Sequence, residues 1–332
     1  MRAAVLSAYG PPEALRVESV PAPTLVRPTD VRIAIRAAAI NPIDWKIRAG
    51  SQRGAIRLKL PWVLGLDVSG EVIEVGPAVT RFRPGDAVFG CLDHRRPGSY
   101  AEQCVADAAL LAPKPQGLTH AEAASLPLVG LTAWQCLMPR LAQREGQRVL
   151  IHAGSGGVGT AAIQIAHHHG AWVATTCSDR NHALVTDLGA DRAVDYRTER
   201  WWEVLDALDV VLDALGGAER DRALAAVRRG GRVASIVSGL PGNTARFGPT
   251  LGVAVTGLGI AWFWLRGRLR GVDAATVIRR NDPTDLAALA AMTEQGTLKA
   301  VVDRVFPLAE IAQAHRYGET GRIRGKVVIE VS

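Results

Sequence analysis

A chain of 332 residues is longer than one hydrophobic core sustains, so two domains are expected. A hydrophobic content of 48% with 21% charged residues excludes a disordered chain, and the net charge of +7 arises from Lys and Arg scattered along the sequence, concentrated locally only from Arg266 to Arg280, so no nucleic-acid partner is expected. Cys91, Cys104, Cys136 and Cys177 show no paired spacing and the N-terminus has no secretory core, which excludes a disulfide framework and leaves a cytoplasmic protein with reduced thiols as the expectation.

In chain order, the sequence up to about residue 120 is strand-rich. Val31-Arg32-Ile33-Ala34-Ile35-Arg36-Ala37 alternates with period two, and so does Gly70 to Gly76. Turn signals at Gly10-Pro11-Pro12, Asn41-Pro42, Pro84-Gly85-Asp86 and Pro97-Gly98 cut this region into short strands, as in a partly open barrel. The grammar changes near residue 121. Ala121 to Leu128 is helical, with Thr119 and Glu122 at capping-box spacing. Strands at Arg148–Ala153, Trp172–Cys177, Asp209–Asp213 and Arg232–Val237 then alternate with helices at Thr160–His168, His182–Leu188 and Arg220–Val227, which predicts a doubly wound parallel sheet.

Leu251 to Leu265 is apolar but shorter than the roughly 18–20 residues that span a bilayer, and Arg266, Arg268 and Arg270 follow it. A buried helix, a subunit interface and a weak membrane-surface contact through 251–270 all remain open. The tail resumes with a helix (Leu286–Thr293), a strand (Ala300–Phe306), a helix (Leu308–Tyr317) and a strand (Gly325–Val331). Its turn-rich pattern places the α/β unit inside the first domain, with boundaries at 1–123, 124–280 and 281–332.

The segment Ala153-Gly154-Ser155-Gly156-Gly157-Val158-Gly159 joins an apolar strand to an apolar helix. Gly154, Gly156 and Gly159 follow the dinucleotide spacing: a tight turn, close approach to a pyrophosphate, and close helix packing. Amides at the helix start, with the helix dipole, favour phosphate. An NAD site places an acid at the end of the second strand, roughly 20 residues on. Here that strand ends Thr175-Thr176-Cys177 and continues Ser178-Asp179-Arg180. A hydroxyl and a guanidinium suit a 2′-phosphate, so NADPH is the expected cofactor.

Further motifs follow in order: Asn41-Pro42-x-Asp44, Gly65-Leu66-Asp67-Val68-Ser69-Gly70, Gly98-Ser99-Tyr100-Ala101-Glu102, Leu126-Pro127-x-x-Gly130-Leu131-Thr132-Ala133, Leu188-Gly189-Ala190-Asp191 with Asp195-Tyr196, and Gly325-Lys326-Val327-Val328. With the glycine turn, they resemble the zinc-independent quinone oxidoreductase branch of the medium-chain dehydrogenase/reductase superfamily, and the tail is similar to its reticulon-interacting subgroup. The resemblance implies an α/β fold, with a GroES-like, partly open β-barrel catalytic domain split around a Rossmann domain. It implies that Thr132 lies near the nicotinamide and that Ser178, Arg180 and Tyr196 meet the 2′-phosphate. Lys326 closes over the cofactor, Asn41 and Asp44 floor the substrate cleft, and Ser238 is placed with the cofactor residues. A homodimer is also implied.

Zinc-dependent relatives carry Cys near Asn41 and His near Asp67. Neither soft ligand is present, so no metal is expected. His167-His168-His169 cannot converge on one ion, because successive helical side chains diverge by about 100°. Without a Lewis acid, hydride transfer to a quinone or an activated enone is the expected chemistry. Asn41 would bind the acceptor oxygen, Asp44 would orient its neighbours, and Tyr100 would be either a proton donor or a buried structural hydroxyl. Enoyl-thioester reduction and a non-catalytic NADPH sensor or scaffold are the alternatives.

Overall fold

The structure, a computed structural model, describes residues 1–141 and 145–331. In chain order the first stretch contributes β1 (Arg2–Leu6), β2 (Leu15–Ser19), β3 (Asp30–Ile40), α1 (Pro42–Arg48), β4 (Trp62–Val63), β5 (Asp67–Val75), β6 (Ala87–Cys91), β7 (Gln103–Asp107), β8 (Leu111–Pro113), α2 (His120–Ser125) and α3 (Pro127–Leu141). The middle holds β9 (Arg148–Ile151), α4 (Gly157–His168), β10 (Trp172–Cys177), α5 (His182–Asp187), β11 (Arg192–Asp195), α6 (Trp201–Val204), β12 (Leu208–Asp213), α7 (Gly217–Ala226), β13 (Val227–Ser235), α8 (Leu240–Phe247), α9 (Pro249–Arg270) and β14 (Asp273–Thr276). The tail adds α10 (Pro283–Glu294), β15 (Val302–Pro307), α11 (Ile311–Glu319) and β16 (Lys326–Glu330).

Two compact units result. The first comprises Met1–Leu131, Arg280–Gly296 and the chain from Ala300 onward; the second comprises Thr132–Arg279 and Thr297–Lys299. The sequence expectation set boundaries at 123/124 and 280/281. The observed division falls inside α3, which runs through Leu131-Thr132 unbroken because Pro127 at its start supplies a pre-set φ and no element-breaking turn follows.

In the first unit, β3 is the organising strand. It pairs along its length with β5, while its other edge is shared by β7 at Asp30–Ala34 and β16 at Ala37–Ile40. Register shifts at Arg32/Ile33 and Ile35/Ala37 let the strand bend between those two partners. Gly70 on β5 faces Ala34 so closely that a Cβ would overlap the Ala34 carbonyl. The seven-stranded sheet runs β15-β16-β3-β5-β6-β8 with β7 beside β3, and it does not close on itself; a separate sheet is ordered β2-β1-β4. Thr119 caps α2 as its spacing predicts, accepting from Glu122 N at 3.2 Å while Glu122 accepts from Thr119 N at 2.8 Å.

The second unit is a six-stranded sheet in the order β11-β10-β9-β12-β13-β14, parallel throughout. In strand number this is the 3-2-1-4-5-6 order of a dinucleotide-binding sheet. Val149, Leu150 and Ile151 are fully buried, as an interior parallel strand requires. The stretch 251–265 is the middle of α9, a helix of 22 residues of which only Gly252, Thr256, Phe263 and Gly267 are buried. That removes the buried-helix expectation: glycines, Thr256 and one Phe make a narrow contact stripe, Val255 and Ile260 are half-buried, and most of the remaining apolar side chains are left outside.

Arg48, only 2% exposed, ties the end of α1 to the tail. Its Nε donates to Gly10 O at 3.1 Å, its Nη2 meets Glu319 at 2.7 Å, and its Nη1 lies 3.1 Å from His315 Nδ1. Replacing Arg48 by Met strands Glu319 and the Gly10 carbonyl, with an expected loss of about 3 kcal/mol. Hydrogen exchange should localise it: amides of α11 lose protection first, whereas a loss spread evenly over both units would contradict this role.

Candidate active site

The glycine turn lies at the carboxyl end of β9, between β10 and β12, where the strand order reverses and ligands bind in such sheets. His152 N continues the pairing by donating to Leu212 O at 3.0 Å, and Ala153 then takes φ 55°, turning the chain out of the sheet. The three fingerprint glycines are required for different reasons. A Cβ on Gly154 would overlap Thr175 Oγ1, and one on Gly159 would overlap Ala153 O, so protein packing demands both. A Cβ on Gly156 would meet nothing nearer than Ala153 O at 3.3 Å. A side chain there would require the Ala153 carbonyl to give by only a few tenths of an ångström, so packing demands glycine least at Gly156, and the close approach of a pyrophosphate is the further reason for it. Gly157, Val158 and Gly159 form the first turn of α4, whose leading amides have no intrahelical acceptor.

The end of β10 carries the expected polar corner. Ser178 is 5% exposed and precedes the single turn Asp179–Asn181. Asn181 Nδ2 donates to Ser155 Oγ at 2.9 Å and to Ser178 Oγ at 3.3 Å, coupling the glycine turn to the second strand. Sequence reasoning stopped at Arg180 and missed Asn181; the signal was its place in the unbroken polar run 178–181. Arg180 is exposed, and so is Asp179. Tyr196, 60% exposed, follows Asp195, which pairs with Cys177 across β10 and β11. Asp195 is spent on backbone amides, accepting from Asp179 N at 3.3 Å and Arg197 N at 3.0 Å. Thr132, 7% exposed, sits in α3, and Ser238 Oγ accepts from Leu240 N at 3.2 Å.

The residues expected to meet substrate are gathered in the first unit, but as a buried lattice. Asn41 precedes α1, and Asp44 Oδ2 accepts from Asn41 N at 2.8 Å and from Tyr100 Oη at 2.9 Å. Asn41 Nδ2 donates to Asp67 Oδ2 at 2.9 Å and to Ala39 O at 3.3 Å, while Asn41 Oδ1 accepts from Lys326 Nζ. Both amide protons and the amide oxygen are thus committed, which corrects the expectation that Asn41 binds an acceptor oxygen. Its motif is a helix entry: Asn41 ends β3, Pro42 begins α1, and Asp44 holds the preceding amide. Lys326 is likewise not free for a cofactor, because its ammonium meets Ile40 O at 2.9 Å, Asn41, and Asp67 Oδ2 at 3.2 Å. The position on β16, whose partner strand is β3, draws it inward. Tyr100 is fully buried, with its ring edge-on to His315 at 5.6 Å and its hydroxyl donating to Asp44. Asp44 lines a small recess with Ile47, Leu58, Trp62, Leu64 and Arg96, with room for about one water molecule.

This lattice is a poor zinc site. Asp67 accepts from Leu128 N at 2.8 Å on one oxygen and from Asn41 and Lys326 on the other, and a cation would have to displace an ammonium already present. No group of three His, Cys, Asp or Glu able to hold a metal occurs among the described residues. The four cysteines are all buried, and burial pushes the thiols of Cys104 and Cys136 up to about 12.

Residues 27–116 match the alcohol dehydrogenase GroES-like domain family, and residues 188–329 match the family described as zinc-binding dehydrogenase. The chain is 33% identical to the mitochondrial NAD(P)H oxidoreductase RTN4IP1 of Danio rerio, covering 100% of this chain and 91% of that one. It is 35% identical to the chloroplastic NADPH-dependent alkenal/one oxidoreductase of Arabidopsis thaliana, over 99% of this chain and 79% of that one. Among solved structures, the quinone oxidoreductase from Coxiella burnetii superposes with a TM-score of 0.87 at 33% identity, covering 100% of this chain and 99% of that one.

Two buried groups of the first unit titrate in opposite senses. Burial raises the Asp44 carboxyl to about 7, while burial and Arg48 lower His315 to about 3. Asp44 in the folded state holds a proton that the unfolded chain gives up, so its contribution is present below about pH 4 and is lost as pH rises through 7. His315 stays neutral while the unfolded chain protonates, so its contribution is present above about pH 6.5 and lost as pH falls toward 3. The two slopes oppose each other between pH 4 and 6.5. Melting midpoints across that range should rise with pH more steeply in Asp44→Asn than in the native chain, and fall with pH in His315→Gln. Identical slopes in all three proteins would contradict the assignment.

Proposed function

The chain belongs to the medium-chain dehydrogenase/reductase superfamily, among its quinone oxidoreductases and their relatives, and on that basis we propose a zinc-independent, NADPH-dependent reductase. Its acceptor is a quinone or an activated α,β-unsaturated carbonyl compound, as the names of the Coxiella and Arabidopsis relatives suggest. The observation that carries the reading is the glycine turn at the strand-order reversal, where Gly156 is the fingerprint glycine that internal packing constrains least. When bound, NADPH supplies the hydride.

The chain's own residues bind and orient. The first-turn amides of α4 hold the pyrophosphate, and Ser178 and Arg180 take the 2′-phosphate by hydrogen bond and charge. Asn181 sets the distance between these two subsites through Ser155 and Ser178. The absence of a carboxylate in β10 beyond Thr175-Thr176-Cys177, and the commitment of Asp195 to backbone amides, favour NADPH over NADH. Zinc independence is supported by the Lys326–Asp67 pair, which occupies the donor set with a fixed ammonium. Asn41, Asp44 and Tyr100 hold the entry to α1 rather than touch substrate.

Purified protein should oxidise NADPH in the presence of benzoquinones, naphthoquinones or short enones, and a metal chelator should leave the rate unchanged. No cofactor oxidation across such a panel would overturn the proposal. Arg180→Ala should raise KM for NADPH about tenfold, roughly 1.4 kcal/mol, with kcat/KM for NADH unaffected. Equal losses with both cofactors would remove the 2′-phosphate assignment.

A further inference from the structure

Helix α9 presents an apolar stripe to solvent. Leu251, Leu258, Trp262, Leu265 and Leu269 are 56%, 72%, 58%, 47% and 73% exposed. At 100° per residue these five lie within about 60° of one another, along roughly 27 Å of helix. The opposite side is fixed to the second unit: Gly252 packs on the Thr244 backbone, Gly267 on Ala274, and Phe263 beneath the Arg220 guanidinium at 4.8 Å. Asn243 Nδ2 donates to Thr256 Oγ1 at 2.9 Å on that side as well. The docked face therefore prevents the stripe from rolling inward.

The charges around the stripe select its partner. Arg268 and Arg270 are exposed and stand about 100° to either side of it, while Arg266 is paired with Asp221 at 2.6 Å. Helix α9 contains no acidic residue. A second copy of the helix would bring two more arginines and no counter-charge; antiparallel pairing would set them against the positive end of the other helix dipole. A surface of anionic headgroups supplies the missing charge, and the indole of Trp262 suits the boundary between headgroups and acyl chains. No helix is long and apolar enough to cross a membrane among the described residues, so the fit is to the plane of the surface.

We propose that α9 is a membrane-surface helix that seats its leucine and tryptophan stripe in an anionic bilayer, with Arg268 and Arg270 on the headgroup phosphates. This assignment is independent of the reductase reading, and so is its test. The full chain is mixed with vesicles of phosphatidylcholine alone or with added phosphatidylglycerol, at low and high salt, and sedimented. Binding to the anionic vesicles is expected, weakening with salt, and falling about tenfold in Leu258→Ser/Trp262→Ser. Arg268→Gln/Arg270→Gln should abolish the preference for anionic over neutral vesicles. Vesicles of brominated lipid should quench native tryptophan fluorescence, a readout that needs no variant. Native protein that stays in the supernatant and is not quenched would overturn the proposal. A soluble dimer that Leu258→Ser/Trp262→Ser converts to monomer, without vesicle binding, would assign the stripe to a second copy instead.

Discussion

A charge removed from water must be paired, and in the first unit that requirement joins three distant stretches of chain. Lys326, near the C-terminal end, finds its partners in Ile40, Asn41 and Asp67, all within the first quarter of the sequence. The ladder between β16 and β3 brings the ammonium there, and the ammonium in turn gives the ladder a reason to keep its register: a slip by one residue would turn Lys326 to the other face and leave the buried Asp67 carboxylate without its counter-charge. The same bonds orient Asn41, which sets the start of α1, whose last residue, Arg48, grips the tail again at Glu319. Polar groups usually associated with chemistry are here the fastening of a split unit.

That is also where sequence reasoning and structure part. The alternating strands, the capping box at Thr119 and the βαβ grammar around Gly154 are local patterns, and local patterns survive translation into structure. The glycine turn was legible for that reason, and the polar run at Ser178 for the same one. The roles of Asn41, Asp44 and Lys326 were not, because what decides them is burial and the contacts made across the sheet, and neither has a period in the sequence. Asn41-Pro42-Ile43-Asp44 reads equally as a substrate-binding motif and as a helix entry until Asp67 and Lys326 are seen to consume the amide. Helix α9 shows the reverse difficulty. Its composition resembles a core helix, and only the placement of Gly252, Phe263 and Gly267 on one side reveals how little of it is buried.

The two units also differ in how they use glycine. In β5, Gly70 is needed because another strand's carbonyl lies against it; in the turn after β9, Gly154 and Gly159 are needed because strand, turn and helix crowd together. Gly156 is crowded least, since a Cβ there would meet only the Ala153 carbonyl at 3.3 Å. A position whose small size the protein explains only in part points outward as well, toward something that must come within van der Waals reach of the backbone. Asn181 reinforces this by bracing Ser155 against Ser178, so that the turn and the strand end are held as one surface before any ligand arrives.

The cysteines have a consequence of their own. Quinones and enones are electrophiles that alkylate thiolates, and a protein that gathers them in solution invites damage to itself. Here Cys91, Cys104, Cys136 and Cys177 are all buried, and the apolar surroundings of Cys104 and Cys136 keep the proton on sulfur at any physiological pH. If the proposed quinones and enones are its acceptors, the chain meets them with all four cysteine sulfurs inside the fold, and burial separates turnover from self-inactivation.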